Sequence, residues 1–160
     1  MKMIKQAPGS EECGACVVAM VTDRTKEEVL KDRPNPAQRD CDWLNYMEEL
    51  GLVLDDPRDD PAFDRSKPWP EMYNGYLNLP KGSRYYCTIA ATLTKIHALA
   101  IDEERMVLDP STSASMEGTW ILGDFLRWHQ QHEFPKIAIV CCRRVRRPAR
   151  VIESAGSHDR

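Results

Sequence analysis

The stretch Glu11-Glu12-Cys13-Gly14-Ala15-Cys16-Val17-Val18-Ala19-Met20 sets a cysteine at the start of an apolar helical run. A thiol in the first turn of a helix faces the positive end of the macrodipole and several amides without intrahelical partners, and both favour the thiolate. Glu11 and Glu12 work against it, because a neighbouring carboxylate disfavours a second anion. Cys13 therefore needs a basic partner. His97, at the start of a strand pattern far along the chain, is the candidate, since thiolate and imidazolium stabilise each other. Asp109 ends the strand that follows His97 across the polar turn "DEER" (Asp102 to Arg105). On neighbouring strands of a hairpin the two side chains would stand near one another, and the carboxylate could fix the tautomer that presents the other ring nitrogen to sulfur. Gln6, upstream of Cys13, can donate an amide N–H to the oxyanion that forms when a thiolate attacks a carbonyl, and the Cys13 backbone N–H supplies a second donor.

These side chains must be positioned by elements that the pattern also predicts. Cys13, Cys16, Val17, Met20 and Val21 recur at three and four, which predicts a helix with one buried face, started by Gly9 and Ser10. Thr25 and Glu28 form a capping box ahead of the short helix "KEEVLKD", which ends before Pro34. Asp40 or Asp42 can cap "WLNYMEEL", with Leu44, Met47 and Leu50 as its apolar stripe and Gly51 as its stop. Residues 55–82 are rich in Asp and Pro with Trp69, Tyr73 and Tyr76 interleaved. They read as a long connection, either a surface excursion pinned by its aromatics or a lid over the substrate. "RYYCTIAATL" and "KIHALAID" are strand material leading through the turn to "MVLDP". A helix "LGDFLRWHQQH", a last strand "KIAIVCCRRV" and a fraying tail over 151–160 complete the chain. Helices followed by an antiparallel sheet define an α+β class, organised as one domain over 1–150.

The order Gln6, Glu12-Cys13-Gly14 running on to Ala19-Met20, His97-Ala98-Leu99-Ala100-Ile101 and Val107-Leu108-Asp109-Pro110 resembles the papain-like cysteine peptidases. Within them it is most similar to the bacteriocin-processing peptidase domains that cleave double-glycine leaders. The resemblance spans most of the chain apart from the 55–82 insert and the C-terminal tail. It implies a papain-like fold, with Cys13 as nucleophile, His97 as general base and acid, Asp109 as the residue orienting the ring and Gln6 as oxyanion donor. The chain departs from the family at Glu12, where Asp or Asn is usual, and in placing Gln6 one residue further ahead of the cysteine. The implied activity is a cysteine hydrolase cleaving a peptide or other amide bond through an acyl-enzyme, with no cofactor. The substrate is then a peptide or protein. Two alternatives keep the same frame: a non-catalytic binding or inhibitory module, and a small-molecule amidase or acyltransferase.

The totals agree with a modest single domain. The chain has 160 residues and a formal charge of −3, which gives no general pull toward nucleic acid or anionic membrane. No stretch has the apolar length of a signal peptide core or a membrane span, so a cytoplasmic protein without membrane contact is expected. Its six cysteines are then thiols rather than a disulfide framework. Cys16 reads as core, with a second role as nucleophile open because some papain relatives place the thiol at that position. Zinc on Cys13 and Cys16 with Cys141 and Cys142, or with His129 and His132, matches structural zinc spacing poorly. Arg143, Arg144, Arg146, Arg147 and Arg150 concentrate positive charge, read as a solvated strand edge and tail, with a phosphate-backbone contact left open. Oligomeric state is not readable from the sequence.

Overall fold

Helix α1 (Cys13–Thr22) is buried at every position from Gly14 to Val21. It packs against a sheet on one side and against helices α2 (Lys26–Asp32) and α3 (Asp40–Glu49) on the other. A single buried face was expected. The run "GACVVAMV" contains no polar side chain, and a helix apolar all round belongs in the middle of a core. These are relations within a computed structural model that describes residues 1–60, 79–90, 95–111, 119–121 and 139–149, the 119–121 segment by its backbone alone. The predicted helix over 122–132, the tail over 151–160 and residues 61–78 of the insert lie outside the described residues.

The helix ends follow local chemistry. The Thr25 hydroxyl accepts the Glu28 N–H at 3.1 Å while Glu28 Oε2 accepts the Thr25 N–H at 2.8 Å, the reciprocal box expected for α2. α3 closes in a Schellman turn: Leu52 N–H reaches Met47 O at 3.2 Å, Gly51 N–H reaches Glu48 O at 2.9 Å, and Gly51 takes φ +85°. The α3 stripe is shifted by one residue from the expected one. Trp43, Tyr46 and Met47 are buried, while Leu44 and Leu50 pack only partly against the core. α1 begins later than Gly9 and Ser10 suggest. Ser10 N–H bonds Ala7 O at 3.1 Å to close a turn, and Glu12 is the residue flanking the helix.

The sheet has six strands in the order β1-β6-β2-β3-β4-β5: β1 (Val53–Asp55), β2 (Arg84–Ala90), β3 (Ile96–Ile101), β4 (Met106–Leu108), β5 (Thr119–Ile121) and β6 (Ile139–Arg146). All neighbouring pairs are antiparallel. The α+β class expected from the element order is the class observed. Strands β1 and β5 were not expected, each being three residues long. The stretch read as a long connection from Asp55 therefore begins inside the sheet and continues into a 3₁₀ turn at Pro57–Asp59. Tyr86, Ala98, Ala100, Leu108 and Val145 turn toward α1 and its neighbours in one core cluster.

The arginine-rich strand is a correction. β6 is an interior strand flanked by β1 and β2, not an edge. Its charge is answered locally: Asp55 accepts from Arg144 at 2.9 Å and from Arg146 at 2.6 Å, and Asp56 stands 3.4 Å from Arg143. Among the described residues no helix is long and apolar enough to cross a membrane.

Candidate active site

Cys13 opens α1, and its neighbour dictates how the helix start is seated. A Cβ on Gly14 would meet Trp43 Nε1 at 2.2 Å and Cδ1 at 2.8 Å, so only glycine lets the buried indole of α3 lie against this turn. The close approach fixes the first turn of α1 against α3, and the thiol with it. α1 also packs on β3, and this brings Cys13 to His97.

β3 and β4 are paired at Ala100–Leu108 and Ile101–Val107. Extending that register sets Asp109 opposite Leu99, which makes His97 its diagonal neighbour, within reach of a long side chain. His97 Nε2 lies 2.7 Å from Asp109 Oδ1. The same carboxylate oxygen accepts the Ser111 N–H at 2.8 Å. With Nε2 committed to Asp109, Nδ1 is the nitrogen left to face the Cys13 thiol, and the ring and the thiol shift each other's ionisation.

The electrostatics of the three groups are mutual. Burial opposes ionisation of the Cys13 thiol, but the His97 side chain, the Ala98 N–H, the His97 charge and the Gly14 N–H together hold it below its ordinary range. Burial alone would lower His97, yet the bond to Asp109 and the neighbouring Cys13 and Asp109 charges push it up to about 9. Asp109 loses hydration too, and its bond to His97, the His97 charge, the Ser111 N–H and the Lys5 ammonium together outweigh that loss and keep its carboxyl below the usual range. The shifts all favour the same charge arrangement: thiolate, imidazolium, and a carboxylate behind the ring.

Gln6 is held on both sides. Its backbone N–H donates to Pro110 O at 3.0 Å, next to Asp109, while its side-chain Nε2 donates to Ser10 O at 3.3 Å. The primary amide carries two hydrogens, so one donor is not used by Ser10. Lys5 ties the same two segments together, its ammonium bonding Asp109 O at 3.1 Å and Ser111 O at 2.7 Å. Gln6 Oε1 is buried with no hydrogen-bond partner among the described residues.

Sequence reasoning named Gln6, Cys13, His97 and Asp109, and the fold brings Cys13, His97 and Asp109 together, with His97 hydrogen-bonded to Asp109 and electrostatically coupled to the thiol, while strapping the Gln6 backbone to the Asp109 segment. It missed three supporting groups. The Ala98 N–H carries no side-chain signal at all. Lys5 could be noticed only as a cation beside Gln6. Glu12, read as an anion opposing the thiolate, instead turns its carboxylate to the Lys26 ammonium at 3.0 Å. Cys16 is fully buried, and loss of water pushes its thiol to about 12, so it does not compete as a nucleophile. Among the described residues no three His, Cys, Asp or Glu side chains are grouped to hold a metal ion. The partner histidines of the zinc reading, His129 and His132, lie outside those residues.

Comparison of the chain with protein-family models and with curated proteins finds no match.

Proposed function

We propose that the protein is a papain-like cysteine hydrolase that cleaves a peptide or other amide bond through an acyl-enzyme. The observation that carries this reading is His97 held by Asp109 at 2.7 Å on the strand against which α1 packs, where its ring acts on the thiol at the start of that helix. In the proposed reaction the Cys13 thiolate attacks the carbonyl carbon. A C–S bond forms as the carbonyl π pair moves to oxygen, and the oxyanion is received by the Cys13 N–H and the second Nε2 hydrogen of Gln6. Collapse of this intermediate breaks the C–N bond, and the departing amine takes the proton of the His97 imidazolium. The neutral imidazole then takes a proton from water, whose oxygen attacks the thioester. A second collapse releases the acid and restores the thiolate and imidazolium. Asp109 keeps the ring in the required tautomer throughout.

The test is alkylation with iodoacetamide, followed residue by residue by peptide mass mapping. Cys13 should react first at pH 7, ahead of the exposed Cys41, and His97→Ala should slow it by at least tenfold. A Cys13 that labels no faster than Cys41, or whose rate ignores His97→Ala, removes the hydrolase reading.

A further inference from the structure

Glu12 flanks α1 yet makes no side-chain cap to the helix amides. Its carboxylate points the other way. Oε2 accepts the Ala7 N–H at 2.9 Å and the Lys26 ammonium at 3.0 Å, so one oxygen closes the loop between Gln6 and Cys13 and anchors it to α2. Inside that loop Ser10 N–H bonds Ala7 O at 3.1 Å, and Ser10 O receives the Gln6 Nε2 at 3.3 Å. The Gln6 amide is thus oriented by a carbonyl belonging to the loop that Glu12 closes. On its other side the Gln6 N–H is tied to Pro110.

We propose that Glu12 is a positioning residue: by holding the Ala7 amide it sets the distance between the Gln6 side chain and the Cys13 helix start, and so shapes the oxyanion hole. The inference rests on the thiol hydrolase reading above. Lys26 sits on the same oxygen and neutralises the carboxylate, which lets an acidic side chain stand next to a thiolate without opposing it. Glutamate suits the task because its reach spans the turn back to residue 7, whereas aspartate is one methylene shorter. A donor misplaced by about 1 Å can cost on the order of 10²-fold in rate.

The test separates oxyanion stabilisation from thiolate chemistry. Alkylation by iodoacetamide forms no oxyanion, whereas acylation by p-nitrophenyl acetate does, and it is read from the nitrophenolate burst. Glu12→Ala should slow acylation by roughly tenfold to 10²-fold, the range expected for a displaced donor, and leave Cys13 alkylation within about twofold. Glu12→Gln, whose Oε1 can still accept the Ala7 N–H, should restore most of the acylation rate. Glu12→Asp keeps the charge but shortens the reach, so it should behave like Glu12→Ala and serves in its place if that variant does not fold. Acylation of Glu12→Ala and Glu12→Asp at the parent rate overturns the inference. So does a fall in acylation and alkylation by the same factor, which would mark a general distortion. If the parent itself is not acylated, the hydrolase reading falls as well.

Discussion

His97 Nε2 and Asp109 Oδ1 stand 2.7 Å apart at the open end of the β3–β4 hairpin, one residue beyond the last residue of β4. The carboxylate therefore orients the ring from a segment that is itself tied down by Lys5 and Gln6. Replacing Asp109 with Asn keeps the shape and removes the charge. Acylation by p-nitrophenyl acetate should fall by about 10²-fold or more, because the imidazolium loses its partner and the ring its tautomer. A rate within threefold of the parent would show that the pair is only structural.

The pH profile of Cys13 follows from the same network. The thiol is held below its ordinary value of 9.0 and His97 is pushed up to about 9. As pH rises, alkylation should climb and level off before the range of a free thiol. Acylation by an amide, whose leaving amine takes the His97 proton, should climb with it and then decline through about 9 as that proton is lost. In His97→Ala the alkylation midpoint should move up toward ordinary thiols. Coincident midpoints in parent and variant would contradict the thiolate and imidazolium pairing.

Gly14 is required by shape. In Gly14→Ala the new methyl would meet the Trp43 indole at 2.2 Å, and forcing that contact should cost about 1–3 kcal/mol in urea unfolding. In a Trp43→Phe background the further loss should be smaller, since the clashing Nε1 is gone. Equal losses in both backgrounds would mean the indole is not what excludes a side chain.

Of the two caps expected for α3, Asp42 takes the role, its Oδ2 accepting the Arg39 N–H at 3.1 Å, while Asp40 is a cross-link. It accepts the Tyr86 and Thr88 hydroxyls of β2, each at 2.8 Å. Both hydroxyl-bearing residues are buried. Asp40→Ala leaves these donors without their acceptor and should cost about 1–3 kcal/mol for each one that stays dry. Tyr86→Phe in the same chain should recover part of that loss in a double-mutant cycle. Simple additivity would argue against the bond.

Features whose partners lie within a few residues were legible from the chain: the Thr25 and Glu28 box, the Gly51 stop and the "DEER" turn, where Asp102 Oδ1 accepts the Glu104 and Met106 amides. Strand β1 was not legible. Val53-Leu54-Asp55 is too short to carry a period, and its partner Arg144–Arg146 comes 89 to 93 residues later. The same distance hid the role of the arginines, whose charge faces Asp55 and Asp56 only because β6 lies inside the sheet.

The helices of the first third, the α+β class and the identities of the thiol, imidazole, carboxylate and amide that could act together are legible in the bare chain. Hydrogen bonds between near neighbours and apolar spacing are local, so they survive in the bare chain. Folding alone set which ring nitrogen faces Asp109, that β3 lies beside the thiol, and that Glu12 turns to Lys26 and Ala7. Those outcomes depend on which elements pack together, because a charge's effect on a thiol is set by distance and by the competing partners that folding brings beside it.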